Sequence, residues 1–344
     1  MEMNDAIREK CDLLADNYSV LADKYKLEDN LMCMVTGLIF TSADSKADIE
    51  KLSECRKILK KQTGIFSKLR ATMELAVLGK MALSDDPEKY IADVSKVYEK
   101  TGSAKLKESS YVVPVCLMIC DLGLMEDSDS IAAKAKEIIE RMKSAHPLLT
   151  TTEDTSFAML LALSYKDVDT IIRDIEEGCD YLKNEYKPGI SKDTAQNLCE
   201  VLAVTYGDMR SKCDKVARIY KAFKKRRSDY GKENELTALA SLVDIDLDPE
   251  TLAGEIIEAA EYLKDKDGFS DKILGEKHRL MYATLLIADV YGRNTDLANN
   301  PAISSTLSII TAKRIAAVIS LVFNIAVNVL PEVLAVVSES SEKK

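Results

Sequence analysis

The sequence predicts an all-α protein, an α-solenoid-like stack of helical hairpins with a period of about 40 residues. The first observation is composition: 47% of the 344 residues are apolar, and only 13 are glycine and 7 proline. The second is spacing, because the apolar residues follow helical periods and almost never alternate as they do in strands. The stretch 157–186 shows the unit: an apolar helix, a polar turn from Lys166 to Asp169, and a helix with one apolar stripe.

The third observation is that this unit recurs along the chain. The polar turns that follow apolar helices contain Asp85, Asp127, Lys166, Asp208 and Asp248, spaced 39 to 42 residues apart. Two turns continue as Asp86-Pro87-Glu88 and Asp248-Pro249-Glu250, with Asp as the predicted N-cap and Pro at the first helical position. Such hairpins bury their apolar faces by stacking. The alternative is an irregular all-α bundle whose spacing arises by chance.

The chain divides into three parts of one continuous domain. Residues 1–71 are predicted to form an N-terminal helical cap, with helices over 7–25, 27–40 and 47–61. Residues 72–300 contain the hairpin repeats, in which Pro114 falls in the first turn of a helix, where proline is tolerated. Residues 301–344 contain apolar helices and a short charged tail.

The apolar segment from Ile315 to Val337 allows two interpretations. Its first sixteen residues carry no charge, which approaches the roughly 20 apolar residues that span a bilayer. Asn324, Asn328 and Glu332 oppose insertion into a membrane. We expect a buried or self-associating hairpin, and membrane attachment through Ile315 to Val337 is the alternative.

The charge and the cysteines predict a cytoplasmic protein. A net charge of −10 and a pI near 5.0 disfavour non-specific binding to nucleic acid, because most of the surface would repel phosphate. The eight cysteines form no C-x-x-C pair, and the first residues lack an apolar secretory segment. Reduced thiols buried in helices are therefore expected.

Four segments together resemble an uncharacterised bacterial family, the domain of unknown function 4003. They are YKLEDNL at 25–31, GLIFT at 37–41, TGIFS at 63–67 followed by Arg70, and DDPE at 85–88. The chain departs from the pattern at Ala71, where a glycine is expected. The resemblance implies an all-helical cytoplasmic protein and supplies no catalytic residues.

The residues that most often carry catalysis or bind metals are sparse, so no catalytic residue, metal or cofactor is predicted. His146 and His278 lie in different units, where surface or capping roles are expected. Cys116 and Cys120 share a helix face with metal-ligand spacing, but their apolar neighbours favour core packing. The common hydrolase and zinc motifs are absent from the sequence.

The aspartates before the last predicted repeat partly match an EF-hand calcium loop. Asp244, Asp246, Asp248 and Glu255 occupy loop positions 1, 3, 5 and 12. Position 6 requires a sharp left-handed turn, and Pro249 cannot provide it. An inter-helix turn and an N-cap explain these aspartates better.

A basic run is the strongest departure from the acidic background, and it is the candidate partner-binding site. It contains Lys221, Lys224, Lys225, Arg226 and Arg227. Such a cluster binds anionic groups, although a solvated helix end would look the same. With no specific nucleic acid expected, the leading hypothesis is a non-enzymatic interaction or scaffold module for an unknown protein partner. An enzyme or small-ligand sensor with an acidic concave site, and a membrane-attached protein, are the alternatives.

Overall fold

A computed structural model describes most of the chain up to Arg293. The described residues are 3–26, 30–64, 67–70, 73–103, 112–145, 154–164, 166–185, 190–204, 207–226, 230 and 235–293. These ranges contain α-helices and short 3₁₀ helices and no β-strand, which confirms the all-α prediction. The predicted part 301–344 lies outside them.

Seven amphipathic helices form an outer series. They are α1 (Asp5–Lys24), α3 (Ile49–Gln62), α5 (Pro87–Ser103), α7 (Ser128–Ala145), α9 (Val168–Glu185), α11 (Met209–Arg226) and α13 (Pro249–Lys264). Each of these helices contacts the next one in the series. Their buried residues recur at helical spacing, as in α9, where Ile171, Ile175 and Leu182 face inward.

The helices between them form an inner series. They are α2 (Asn30–Ser42), α4 (Glu74–Leu83), α6 (Val113–Asp121), α8 (Asp154–Ala162), α10 (Lys192–Ala203), α12 (Glu235–Ala238) and α14 (Glu276–Arg293), and a 3₁₀ helix, Leu239–Leu242, follows α12. Neighbours in this series also contact one another. In α6 every residue from Val113 to Ile119 is buried, and Pro114 lies at the helix start as predicted. A helix that is apolar all round has to lie inside the fold.

Aspartates begin many of the outer helices. Asp86 accepts a hydrogen bond from the Lys89 backbone N–H at 3.0 Å, and Asp248 accepts from Glu250 and Thr251 at 3.0 Å each. These contacts confirm both predicted N-caps. Because each cap satisfies backbone N–H groups that the helix leaves unpaired, the outer helices begin at defined residues.

Lysines from outer helices close four of the hairpins. Lys10 donates to the Thr41 carbonyl at 2.7 Å, Lys51 to Ser84 at 3.4 Å and Lys134 to Ser164 at 2.6 Å. Lys215 donates in the same way to the carbonyl of Ile245. The first three carbonyls lie at or just beyond the end of the following inner helix, and that of Ile245 lies just beyond the 3₁₀ helix that follows α12. Backbone acceptors at such helix ends lack helical partners. The lysines therefore fix α1, α3, α7 and α11 to the inner helices that follow them.

The first helix packs against the last two described helices. Lys10 of α1 forms an ion pair with Asp289 of α14 at 2.7 Å, and Asp12 accepts hydrogen bonds from Tyr262 at 2.9 Å and Lys266 at 2.6 Å. We call this contact of α1 with α13, α14 and the turn between them the seam.

Gly268 lies in the turn after α13, and its substitution tests the close packing at the seam. Its φ is +83°, and an added Cβ would lie 1.9 Å from Cε1 of Tyr18. Gly123 has a φ of +69° with open space around it. We expect G123A to lower the free energy of unfolding by about 1 kcal/mol, from backbone strain alone. We expect G268A to lower it by about 2 kcal/mol more, because Tyr18 must also move.

Urea unfolding followed by circular dichroism measures the free energy of unfolding of the wild type and of both variants. Equal destabilisation by the two substitutions would show that Tyr18 does not pack on the Gly268 backbone.

Candidate interaction surface

Helix α11 is a strongly basic element in an acidic protein. Residues 209–226 contain eight lysines and arginines and one acidic residue, whereas the whole chain has a net charge of −10. The helix buries Cys213, Val216, Ile219 and Phe223 against the core. This apolar stripe fixes which side of the helix faces the protein. Lys212 is buried with it and donates to the Leu202 carbonyl, whereas the exposed basic residues are Arg210, Arg218, Lys221, Lys224, Lys225 and Arg226.

The outward face of α11 extends well beyond the predicted basic run. Arg210, Arg218, Lys221 and Lys225 recur at intervals of three, four or eight residues and therefore share one side of the helix. Asp214 is the one acidic residue on this side. We define the α11 basic face as Arg210, Arg218, Lys221, Lys224, Lys225 and Arg226. Arg210 and Arg218 lie outside the predicted run, although their helical spacing from Lys221 in the sequence was a usable signal.

Three residues of the predicted run bind glutamates of neighbouring outer helices. Lys221 pairs with Glu185 of α9 at 2.8 Å, and Lys225 and Arg226 pair with Glu250 of α13 at 2.5 and 3.0 Å. The hydrogen bond from Lys225 holds the pKa of Glu250 below its usual value, and the charge of Arg226 acts in the same direction. These pairs connect three consecutive outer helices.

Lys224 differs from these three residues. Its side chain is exposed, and no ion pair joins it to any other residue of the described ranges. Arg218 is likewise exposed and forms no ion pair with described residues. Arg227 lies outside the described residues. Lys224 and Arg218 therefore present positive charge to solvent.

A groove of about 680 Å³ lies beside the α11 basic face. Its wall is formed by α9, α11 and the turn before α13, and the side chains lining it include Tyr181, Arg210, Arg218, Asp214 and Asp246. Tyr181 donates a hydrogen bond to Asp214 at 3.3 Å. The groove is lined by two arginines and by aspartates, so it presents both positive and negative charges to a ligand.

The predicted core role of Cys116 agrees with the structure. Cys116 is completely buried in α6, and Cys120 is partly exposed one turn later. Burial raises the pKa of both thiols, that of Cys120 to about 12. Within the described ranges, no group of three or more His, Cys, Asp and Glu side chains is placed to hold a metal ion.

The four acidic residues of the calcium-loop match have other roles. Asp248 is the N-cap of α13. Burial lowers the pKa of Lys215, and the negative charges of Asp244 and Asp246 oppose this effect. Glu255 accepts a hydrogen bond from the Tyr291 hydroxyl at 2.6 Å, and burial raises the Glu255 pKa. The predicted turn and N-cap therefore explain these residues, and the calcium interpretation gains no support.

The remaining sequence candidates give no site. The Nδ1 atom of His278 lies 3.0 Å from the Leu274 carbonyl oxygen, and the residue is exposed near the start of α14, which agrees with the predicted surface role. His146 lies outside the described residues, and so does the segment from Ile315 to Val337. Among the helices described, none has the length and apolar character needed to cross a membrane.

Comparison with known proteins gives one result. A family model described as "Protein of unknown function (DUF4003)" matches residues 17–321, which include every described helix from α2 to α14. No curated protein and no solved structure matches the chain.

The Asp248 cap predicts a pH-dependent contribution to stability. Hydrogen bonds from the Thr251 hydroxyl and backbone, and from the Glu250 backbone, lower the Asp248 pKa below the ordinary 3.8. The ionised carboxylate therefore stabilises the folded state above that pH, and its contribution is lost as pH falls through the lowered pKa. We expect D248A to lower the melting temperature at pH 7.

Thermal melts of D248A and the wild type from neutral to acidic pH provide the measurement. The difference in melting temperature should narrow below about pH 3.8 and should not respond to added Ca²⁺. A large stabilisation of the wild type by Ca²⁺ that D248A lacks would restore the calcium interpretation.

Proposed function

The chain belongs to the DUF4003 family of proteins of unknown function, since the family model covers 17–321 of its 344 residues, and we propose that it is a non-enzymatic interaction module. The match confirms the resemblance found in the sequence. The family contributes no activity, so the proposal rests on the surface chemistry of this chain. Among the described residues, nothing favours an enzyme, a sensor with an acidic concave site, or membrane attachment.

The architecture that we propose for this module is a ring of helical hairpins with a period of about 40 residues. The four lysine-to-carbonyl contacts support a repeat, because donor and acceptor lie 31, 33, 30 and 30 residues apart. The contact of α1 with α13 and α14 supports closure of the stack. A closed ring buries the inner helices and leaves the outer helices as the main surface.

The observation that carries the functional proposal is the concentration of positive charge on α11. Eight of its 18 residues are basic in a chain of net charge −10, so the charge cannot be explained by overall composition. A basic face surrounded by acidic surface attracts a complementary acidic partner and orients it on approach. We propose that the α11 basic face binds an acidic segment of another polypeptide.

The ion pairs of the α11 basic face are exposed, so a partner can exchange its own carboxylates for those of the neighbouring helices. The side chains of Lys221 and Lys225 are 53% and 71% exposed, and that of Arg226 is 40% exposed. Exposed pairs of this kind contribute little to stability, because solvent screens them. A partner carboxylate can therefore replace Glu185 or Glu250 at little cost to the fold. The groove beside Arg210 and Arg218 gives such a segment a place to lie.

We also propose that the protein acts in the cytoplasm. All eight cysteines lie in the described ranges as thiols, and six of them are buried. Reduced thiols on this scale are typical of a reducing compartment.

Charge reversal of residues that form no described ion pair tests the surface. R218E/K224E changes the α11 basic face without removing a pair to Glu185 or Glu250. K60E/K61E makes the same change in net charge at two exposed lysines on α3. Tagged wild type and both variants are purified from the native host at low and high salt, and co-purifying polypeptides are quantified by mass spectrometry.

We expect one polypeptide to be recovered in stoichiometric amount with the wild type and with K60E/K61E. Its recovery should fall about tenfold or more with R218E/K224E and should fall with salt, because charge pairs hold it. Equal recovery with both variants would remove α11 as the contact surface. A bound small molecule in place of a polypeptide would favour the sensor hypothesis.

A further inference from the structure

Three cysteine thiols from three consecutive helices form one cluster. Cys179 lies on α9, Cys199 on α10 and Cys213 on α11. The Cys199 thiol is within hydrogen-bonding distance of both Cys179 and Cys213. The three residues are distant in sequence, so no cysteine motif predicts the cluster. It is separate from the α11 basic face, because Cys213 lies on the buried side of that helix.

Gly178 allows the thiols to approach closely. A Cβ added at Gly178 would lie 2.9 Å from the Cys199 sulfur and 3.1 Å from the Met209 Cε, and both contacts are too short for ordinary packing. The Cys199 sulfur therefore lies directly against the backbone of α9 beside Cys179. Disulfide formation requires the backbones that carry the two cysteines to approach closely, and the contact of Cys199 with the α9 backbone meets this requirement.

The two thiols differ in exposure and in charge environment. Cys179 is partly exposed, whereas Cys199 is completely buried. A hydrogen bond from Cys199 lowers the Cys179 pKa and the Lys183 charge one turn later also lowers it, while burial and the charges of Asp180 and Glu176 oppose this effect. Burial, followed by the hydrogen bond with Cys179, raises the Cys199 pKa. Cys179 is therefore the thiol of the pair that ionises more readily.

We propose that Cys179 is an oxidant-reactive thiol and that Cys199 is its resolving partner, so that hydrogen peroxide converts this pair into a disulfide linking α9 to α10. Reactive cysteines combine partial exposure, thiolate character and a neighbouring resolving thiol, and the cluster provides all three. Metal binding is the other chemistry that clustered thiols suggest, but no group of metal-binding side chains is suitably placed in the described ranges.

The reaction proceeds in two balanced steps. The Cys179 thiolate attacks one peroxide oxygen, the O–O bond breaks, and sulfenic acid and hydroxide form; hydroxide takes up a proton to become water. The Cys199 sulfur then attacks the Cys179 sulfur, its proton leaves with the sulfenic oxygen as water, and the S–S bond forms. Peroxide gains two electrons, and the two thiols together lose two.

Cys120 is a matched control within the same chain. It is partly exposed like Cys179, and another thiol, Cys116, lies one turn away. Burial and the nearby charges of Asp121 and Asp93 raise the Cys120 pKa to about 12, so little thiolate is present at neutral pH. Exposure and a neighbouring thiol are common to both pairs, and the charge environment distinguishes them.

The test treats the reduced full-length protein with one equivalent of hydrogen peroxide at pH 7. Intact mass and non-reducing peptide mapping identify the products in the wild type and in C179S, C199S, C213S and C120S. We expect the wild type to lose two hydrogen atoms and to yield a peptide linking Cys179 to Cys199. C120S should behave in the same way. C213S should also form the link between Cys179 and Cys199, because Cys213 is not one of the two bonded residues. The variant only removes a third thiol that could exchange into the disulfide.

The variants of the pair distinguish the two roles. C179S should yield no Cys179–Cys199 peptide and should react with peroxide at least about tenfold more slowly, because it lacks the reactive thiol. C199S should accumulate a sulfenic acid on Cys179 that dimedone traps. If C199S does not fold, dimedone added to the wild type in the first seconds should label Cys179. Oxidation at Cys120 as fast as at Cys179, or unchanged oxidation in C179S, would overturn the proposal.

Discussion

The buried Lys10 ammonium group is the contact on which the closure of the structure depends. Its nitrogen lies 2.7 Å from the Thr41 carbonyl, 2.5 Å from Asp44 and 2.7 Å from Asp289. A buried charge is costly unless oxygen ligands replace its water, and these three ligands do so. One of them ends the first hairpin and another belongs to α14. The same side chain therefore completes the first unit and connects it to the last described helix.

In the closed arrangement that we propose, the packing of the helices determines which surfaces are left for binding. An open solenoid offers a concave face to a ligand, but here the inner helices are filled with apolar side chains, as in α6, and α1 packs against α13 and α14. Recognition is therefore expected on the outer helices, whose outward sides carry the charges. Among these helices α11 is distinctive, because its charges are nearly all of one sign. The binding proposal thus follows from the combination of closure and local charge.

Local features of the fold could be predicted from the sequence, and long-range features could not. The helices, the caps at Asp86 and Asp248, and the burial of Cys116 each depend on residues within a few turns of one another. The seam joins Asp12 to Tyr262 and Lys266, more than two hundred residues away, and each side resembles an ordinary helix surface. The basic run was visible, but its glutamate partners lie on other helices. Its charges were therefore predicted, and their pairing was not.

The cysteines show why spacing alone misjudges chemistry. Cys116 and Cys120, which share a helix face, were the pair that the sequence brought forward, yet their surroundings suppress ionisation. Cys179 and Cys199 belong to different helices, and their contact depends on Gly178 and on the packing of α9 against α10. On α11, Cys213 faces this thiol cluster while Arg218 and Lys221 face solvent. Because opposite sides of one helix carry the two features, changes to the basic face should leave the thiol chemistry intact, and binding and oxidation can be examined independently.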